Sequence, residues 1–330
     1  MGAYQWAGVA MPWRYDRPLA QERAAVRERC GIVDASQLRV IELDGPDSAD
    51  ILERLLPRAV SDMPTGTSRY SVVLNRRGRI VDELLCLRIQ PERFWLSAGA
   101  GSTRERLAEL GATMVERDDL HVLAVQGPRS AQIVGSVADT TGLAPGDHRE
   151  AGPELRIARA GFTGEQGYEL YLPADAALAT WRALVEAGAE PYGYATVDLL
   201  RIEAGFLLYP NDLAPLGGPA DAGLGWLGRG KTSTFTGREA TEGRTAQARI
   251  GGILAPGAMP VPRGTGVSLD GELLGRVTSS AYSPAEGAVL CLAQLATSTA
   301  GRRDTVGLGD GRWGQLVALP FVTRRDRDPR

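Results

Sequence analysis

Glu169 and Arg201 are the side chains whose type and setting point most directly at chemistry. Glu169 stands in Arg159-Ala160-Gly161-Phe162-Thr163-Gly164-Glu165-Gln166-Gly167-Tyr168-Glu169-Leu170, a glycine-rich turn running into an alternating strand, with the carboxylate in an apolar frame. Arg201 stands in Leu200-Arg201-Ile202-Glu203-Ala204-Gly205, near the end of an apolar helix. A carboxylate accepts hydrogen bonds from an amino-pyrimidine edge, and a guanidinium fork holds a carboxylate or ring carbonyl. Together they suit a flat, hydrogen-bond-rich heterocycle such as a pterin. Each also has a plainer reading: strand alternation could turn Glu169 outward, and Arg201 could pair on its own helix with Asp198 or Glu203.

Asp82 and Glu83 interrupt a second apolar strand. Neighbouring strand residues face opposite sides, so one is expected toward solvent and the other inward. A buried carboxylate needs partners or loses its charge, and such groups gather at working sites. Structural satisfaction, or exposure at a sheet edge, is the alternative.

The elements that must position these residues are partly legible. Arg39 to Leu52 and His121 to Val134 both read as strand, turn and helix, with Pro46 and Pro128 expected at the first helical position. Two such units suggest related α+β halves. Between them Arg69 to Leu74 and Ile80 to Leu87 form a hairpin joined through Gly78, and Phe94-Trp95-Leu96 continues the sheet. Arg104 to Leu110 and Ala176 to Ala187 are helical by pattern. Beyond about residue 245 helical periodicity gives way to glycine and β-branched residues, as in a separate small β domain ending near Val322. The charged tail 324–330 is expected to fray.

Bulk properties exclude several classes. The 330 residues suit two or three structural units, and 43% hydrophobic with 23% charged residues is ordinary for a soluble globular chain. A net charge of −3 offers no global basic field for nucleic acid or membrane. Cys30, Cys86 and Cys291 are scattered, which suits reduced thiols in a cytoplasmic protein, and no metal site is expected. With His121 and His148 the only histidines, serine–histidine catalysis is not expected. No signal peptide and no bilayer-spanning run is read. Gly225-Trp226-Leu227-Gly228-Arg229-Gly230-Lys231-Thr232 fits the phosphate-loop pattern letter for letter, but a loop precedes it and poor helix material follows, so no nucleotide site is expected.

Taken in order, the motifs resemble the T-protein family of folate-dependent aminomethyltransferases of the glycine cleavage system. The resemblance covers nearly the whole chain. It rests on Met11-Pro12-Trp13-Arg14-Tyr15, Gly31 to Ser36, Tyr70-Ser71…Leu74-Asn75…Gly78…Val81-Asp82-Glu83-Leu84, and Val125-Gln126-Gly127-Pro128. It continues through Gly161 to Glu165, Leu200 to Gly205, Ala222 to Trp226, Phe235 to Ala240, Val277-Thr278-Ser279 and Leu319-Pro320-Phe321-Val322.

The resemblance implies an α+β fold, a three-domain cloverleaf around a central folate channel. Two intertwined α+β subdomains with ferredoxin-like βαβ units would occupy 1–245, with the hairpin subdomain near 46–118, and a β-barrel would fill 246–323. It implies tetrahydrofolate as one-carbon acceptor, with Tyr70, Leu74, Glu83, Phe162, Glu169, Arg201 and Trp226 around it. Glu83 and Asp82 would be the catalytic carboxylates, Glu83 aligning with the family's hairpin aspartate.

Departures gather around this site. Glu83 is one methylene longer than the usual aspartate, Phe162 replaces a tyrosine, Val197 an arginine and Gln37 a histidine. From these a specialised relative is expected, transferring a methyl, methylene or aminomethyl group from a different small donor. Authentic glycine-cleavage transfer from an aminomethyl-lipoyl carrier protein is the alternative, and a non-catalytic folate-binding assembly factor or the folate domain of a flavin enzyme stands further off. A monomer is favoured.

Overall fold

The computed structural model describes residues 3–6, 8–99, 101–299 and 301–322. The expected tail 324–330 lies outside them. Three large β bodies carry the chain, beside a two-stranded pair of Ala3–Trp6 and Val9–Pro12. A five-stranded sheet runs Ser68–Leu74, Ile80–Gln90, Arg93–Ala98, Arg39–Asp44, Val115–Glu116 in spatial order. A six-stranded sheet runs His148–Gly152, Leu155–Ala158, Gly167–Pro173, Leu120–Gln126, Gly31–Asp34, Glu190–Pro191. A closed six-stranded barrel spans residues 248–317.

The repeat read from the sequence is real and longer than it looked. In each sheet a strand leads into a short helix (Ser48–Leu55, or Ser130–Val134), then a three-stranded meander, a second helix (Thr103–Glu109, or Ala174–Glu186) and a short strand. In both, the first strand pairs with the third of the meander. Pro46 and Pro128 do not open their helices, which begin two residues later. Each follows a glycine of positive φ, Gly45 (+137°) and Gly127 (+130°), and that turn takes up the intervening residues. At Gly127 a Cβ would also stand 2.6 Å from the Val26 carbonyl oxygen.

Packing follows from strand alternation. One face of each sheet buries its helices, around Leu52, Leu55, Val73 and Leu96 in the first and Val125, Leu170 and Leu184 in the second. The opposite faces meet each other through Val40, Leu87, Trp95, Val122, Ala158 and Tyr171. The helix Tyr194–Glu203 leaves the second sheet and docks Leu199 and Ile202 on barrel residues Ala281, Leu290 and Leu292. The segment 205–247, largely irregular, crosses between sheets and barrel; Leu213, Leu216 and Leu227 anchor it to Val72 and Ile80.

Candidate active site

Where sheets, barrel and crossing segment converge lies a cavity of about 1190 Å³. Tyr70, Asp82, Glu83, Phe162, Glu169 and Trp226 all border it, so three distant stretches of sequence, the hairpin, the glycine turn with its strand, and the crossing segment, deliver the expected residues to one place.

Glu169 turns inward and is 9% exposed. Its Oε2 accepts a 2.7 Å hydrogen bond from the Tyr171 hydroxyl, two residues along on the same face of the strand. Its Oε1 has no partner among the described residues. Burial pushes the carboxyl upward, opposed by the Tyr171 donor. The turn before it is built around Gln126. A Cβ at Gly161 would fall 2.0 Å from Gln126 Oε1, and one at Gly167 2.2 Å from its Nε2, so only glycine leaves room for the amide. That amide donates to the Ala160 carbonyl (3.2 Å) and accepts from the Thr163 hydroxyl (3.0 Å). Arg27 holds the far side, donating to the Thr163 carbonyl at 2.9 Å and to Glu165 at 2.8 Å. The glycine turn is thus a rigid wall.

Alternation separates Asp82, which is buried, from Glu83, which is half-buried on the cavity. Asp82 is 1% exposed and accepts from the N–H (3.2 Å) and hydroxyl of Thr103, opening the helix Thr103–Glu109. Glu83, on the other face, accepts from the Tyr209 N–H at 2.7 Å and the Tyr70 hydroxyl at 2.8 Å. Burial pushes its carboxyl up to about 7 against those two donors, with Asp82 and Asp212 adding repulsion. Glu83 therefore changes charge near neutrality, which a proton-managing group requires. Tyr209 was invisible to sequence reading because it lies in the crossing segment, which has no periodicity.

Two expected residues are placed elsewhere. Arg201 is not on the cavity wall: it is fully buried, with its fork saturated by protein. It donates to Asp198 (2.8 Å), the Phe206 carbonyl (3.2 Å), Asp212 (2.5 Å) and the Ser279 hydroxyl (2.7 Å). Asp212 in turn accepts from the Leu208 N–H at 3.0 Å, so Arg201 fastens helix, barrel and the loop that brings Tyr209 to Glu83. Leu74 is likewise fully buried, on the same strand face as Tyr70 but four residues further along, in the core beside Val72 and Ile80 rather than on the cavity. Besides Tyr209, Gln37 was missed; its Oε1 is buried without a partner on the same cavity. Its only signal was its substitution for a histidine.

Trp226, 41% exposed, stands at the rim with the Arg58 guanidinium 5.2 Å over its ring. The phosphate-loop letters around it serve another purpose. Lys231 donates to the Glu53 and Leu56 carbonyls (2.7 and 2.8 Å) and pairs with the Glu53 carboxylate at 2.5 Å, closing the helix Ser48–Leu55. Although burial alone would raise it, the Glu53 carboxyl is drawn down to about 2 by Lys231 and the Ser61 and Val60 N–H groups. Lys231→Met is expected to lower stability by about 3 kcal/mol, read from urea unfolding, because it leaves a buried carboxylate unpaired. Thermal protection of the unaltered chain by magnesium-ATP would contradict this structural role.

The residues 2–231 match the model of the GCVT N-terminal domain. The aminomethyltransferase of Streptomyces avermitilis is 36% identical, over 97% of this chain and 93% of its own length. That of Thermus thermophilus is 31% identical over 96% and 94%. The chain belongs to the T-protein family of aminomethyltransferases. Members are tetrahydrofolate-dependent one-carbon transferases, and the architecture is theirs. The crystal structure of glycine cleavage system aminomethyltransferase T from Bartonella henselae superposes with a TM-score of 0.91 at 28% identity, covering 98% of this chain and 95% of that one.

Proposed function

We propose that this chain transfers the methylene carbon of an aminomethyl group, borne on the dihydrolipoyl sulfur of a carrier protein, to tetrahydrofolate bound in the central cavity, the carbon–sulfur and carbon–nitrogen bonds breaking to release the thiol and ammonia. The observation that carries the reading is the half-satisfied carboxylate of Glu169, one oxygen held by Tyr171 and the other free toward a cavity large enough for a ring and a donor arm. Phe162, Phe206, Tyr209 and Trp226 supply flat walls, and Glu169 Oε1 with Gln37 Oε1 supplies acceptors for an amino edge. The residues present therefore fit a reduced pterin.

Bound folate would supply a secondary amine as nucleophile toward the donor carbon. Glu169 fixes the ring's amino edge. Glu83, held by the Tyr209 N–H and the Tyr70 hydroxyl, accepts the amine's proton when ionised.

The sequence pattern favoured a different small donor. The relatives argue the other way, since those at 30–36% identity over nearly the whole chain are named aminomethyltransferases. All four departures, Gln37, Glu83, Phe162 and Val197, border the cavity, Val197 beside Trp6, Met11 and Tyr194. Anaerobic incubation with tetrahydrofolate and an aminomethylated lipoyl carrier is expected to release ammonia in step with methylene-folate. Transfer from a small methylated donor, with none from the carrier, would overturn the assignment.

A further inference from the structure

Among the described residues two tryptophans are buried, Trp6 and Trp95. Trp95 gives its indole N–H to the Glu42 carboxylate at 2.6 Å. Trp6 is 8% exposed, and its own N–H has no acceptor among the described residues. The other tryptophans, Trp13, Trp181, Trp226 and Trp313, are half-buried or exposed, where water can serve. A buried donor left unmatched costs free energy, so a ligand that matches it is favoured there.

The Trp6 nitrogen faces the same part of the central cavity as Glu83. Trp6, Gly99 and Glu83 all border that cavity. A Cβ built on Gly99 would meet a single described atom within 4 Å, the Trp6 Nε1 at 3.9 Å. The strand Arg93–Ala98 ends with Ala98 opposite Leu84, and one residue further along this antiparallel register Gly99 comes opposite Glu83. Directly opposed residues share a face, so the indole N–H and the Glu83 carboxylate open onto the same space. Packing brings them together independently. Trp6 lies in one apolar cluster with Met11, Tyr194, Val197 and Leu208, and the N–H of the next residue, Tyr209, donates to Glu83 at 2.7 Å. Glu83 does not need the indole, because Tyr209 and Tyr70 already serve its two oxygens.

We propose that Trp6 is a specificity-determining residue that donates its indole N–H to the ring oxo oxygen of the bound pterin. This rests on the folate reading given above. In a reduced pterin the ring secondary amine and the oxo group are neighbours, so a carboxylate that takes the amine's proton has the oxo oxygen beside it. That oxygen only accepts, and a free N–H next to Glu83 matches it. Glu169 at the amino edge and Trp6 at the oxo group then fix the ring in one orientation, the one that presents its amine to Glu83. An amino group in place of the oxo would set two donors against each other in a buried place, a mismatch that polar sites reject strongly.

The test compares tetrahydrofolate with tetrahydroaminopterin, its analogue with an amino group in place of the ring oxo, by anaerobic calorimetry. The readout is the ratio of the two dissociation constants, because a loss of packing moves both alike. Trp6→Phe is expected to weaken tetrahydrofolate about three- to tenfold and to leave the analogue unchanged or tighter, so that the preference for the oxo ring falls about tenfold or more. Benzothienylalanine at position 6 keeps the bicyclic outline and puts sulfur where the N–H was. It is expected to shift the ratio in the same way, and it decides the matter where phenylalanine disturbs the packing against Tyr194. A ratio unmoved by the loss of the N–H overturns the proposal, whether the two affinities fall together or stay. With tetrahydrofolate still binding saturably, that result rejects the role of Trp6 and leaves the folate reading in place. Saturable binding of neither pterin to the unaltered protein contradicts the folate reading and the proposal with it.

Discussion

Arg201→Met is expected to cost about 3–5 kcal/mol of stability, the largest single-site loss in this molecule outside its apolar cores. The guanidinium and its Asp212 partner are both fully buried, and removing the cation leaves an anion with no solvent to relax into. The loss has two further consequences. The Phe206 carbonyl loses a donor, and Asp212, which also accepts from Thr278 and Ser279, no longer ties the helix Tyr194–Glu203 to the barrel. Urea unfolding should show a lowered midpoint. The double variant Arg201→Met with Asp212→Leu should recover part of the loss, since it removes the stranded charge as well. A pterin-holding arginine would behave otherwise: its loss would weaken folate and leave the unfolding midpoint nearly in place.

Glu83→Gln is expected to lower kcat by about 10²–10⁴-fold, the range typical of a lost general base, with folate affinity nearly retained. The pH dependence gives the sharper signature. With its carboxyl near 7, Glu83 is protonated and idle below that pH and ionised above it, so turnover of the unaltered enzyme should rise through pH about 7. The variant should lack that limb. Stability carries the opposite sign. A carboxyl raised above its ordinary 4.5 takes up a proton on folding, so stability falls as pH rises from about 4.5 through about 7. By about pH 8 the retained charge costs on the order of 2–3 kcal/mol. The glutamine carries no such charge, so the variant should gain on the unaltered protein across that window. Parallel stability curves in acid and in mild alkali would show that Glu83 is not held near neutrality.

How far the sequence reached depends on whether a feature is local. The strand–turn–helix repeat was legible because it is written in consecutive residues, and the hairpin because Gly78 and the alternation around it are adjacent. The direction of Glu169 was not, since alternation permits either face; contact of the two sheets around Trp95 and Tyr171 decides it. Arg201 was misplaced for the same reason on a longer scale. Of its partners, Asp198 is one turn away and was named as an alternative, but Asp212 lies in an irregular segment and Ser279 in the barrel. Leu74 shows the limit of motif reading, because a residue can accompany a site in sequence while packing the core behind it. Tyr209, which completes the cradle of Glu83, leaves no mark in composition or periodicity at all.

The most direct measurement is an anaerobic calorimetric titration of tetrahydrofolate into the unaltered protein and into Glu169→Ala. The account predicts saturable one-to-one binding in the first. In the second it predicts affinity weaker by about 10- to 100-fold, the effect of about 1.5–3 kcal/mol from a lost charge-assisted bond to the amino edge. No saturable heat, or equal affinity in both proteins, would contradict a pterin held by Glu169 in the central cavity.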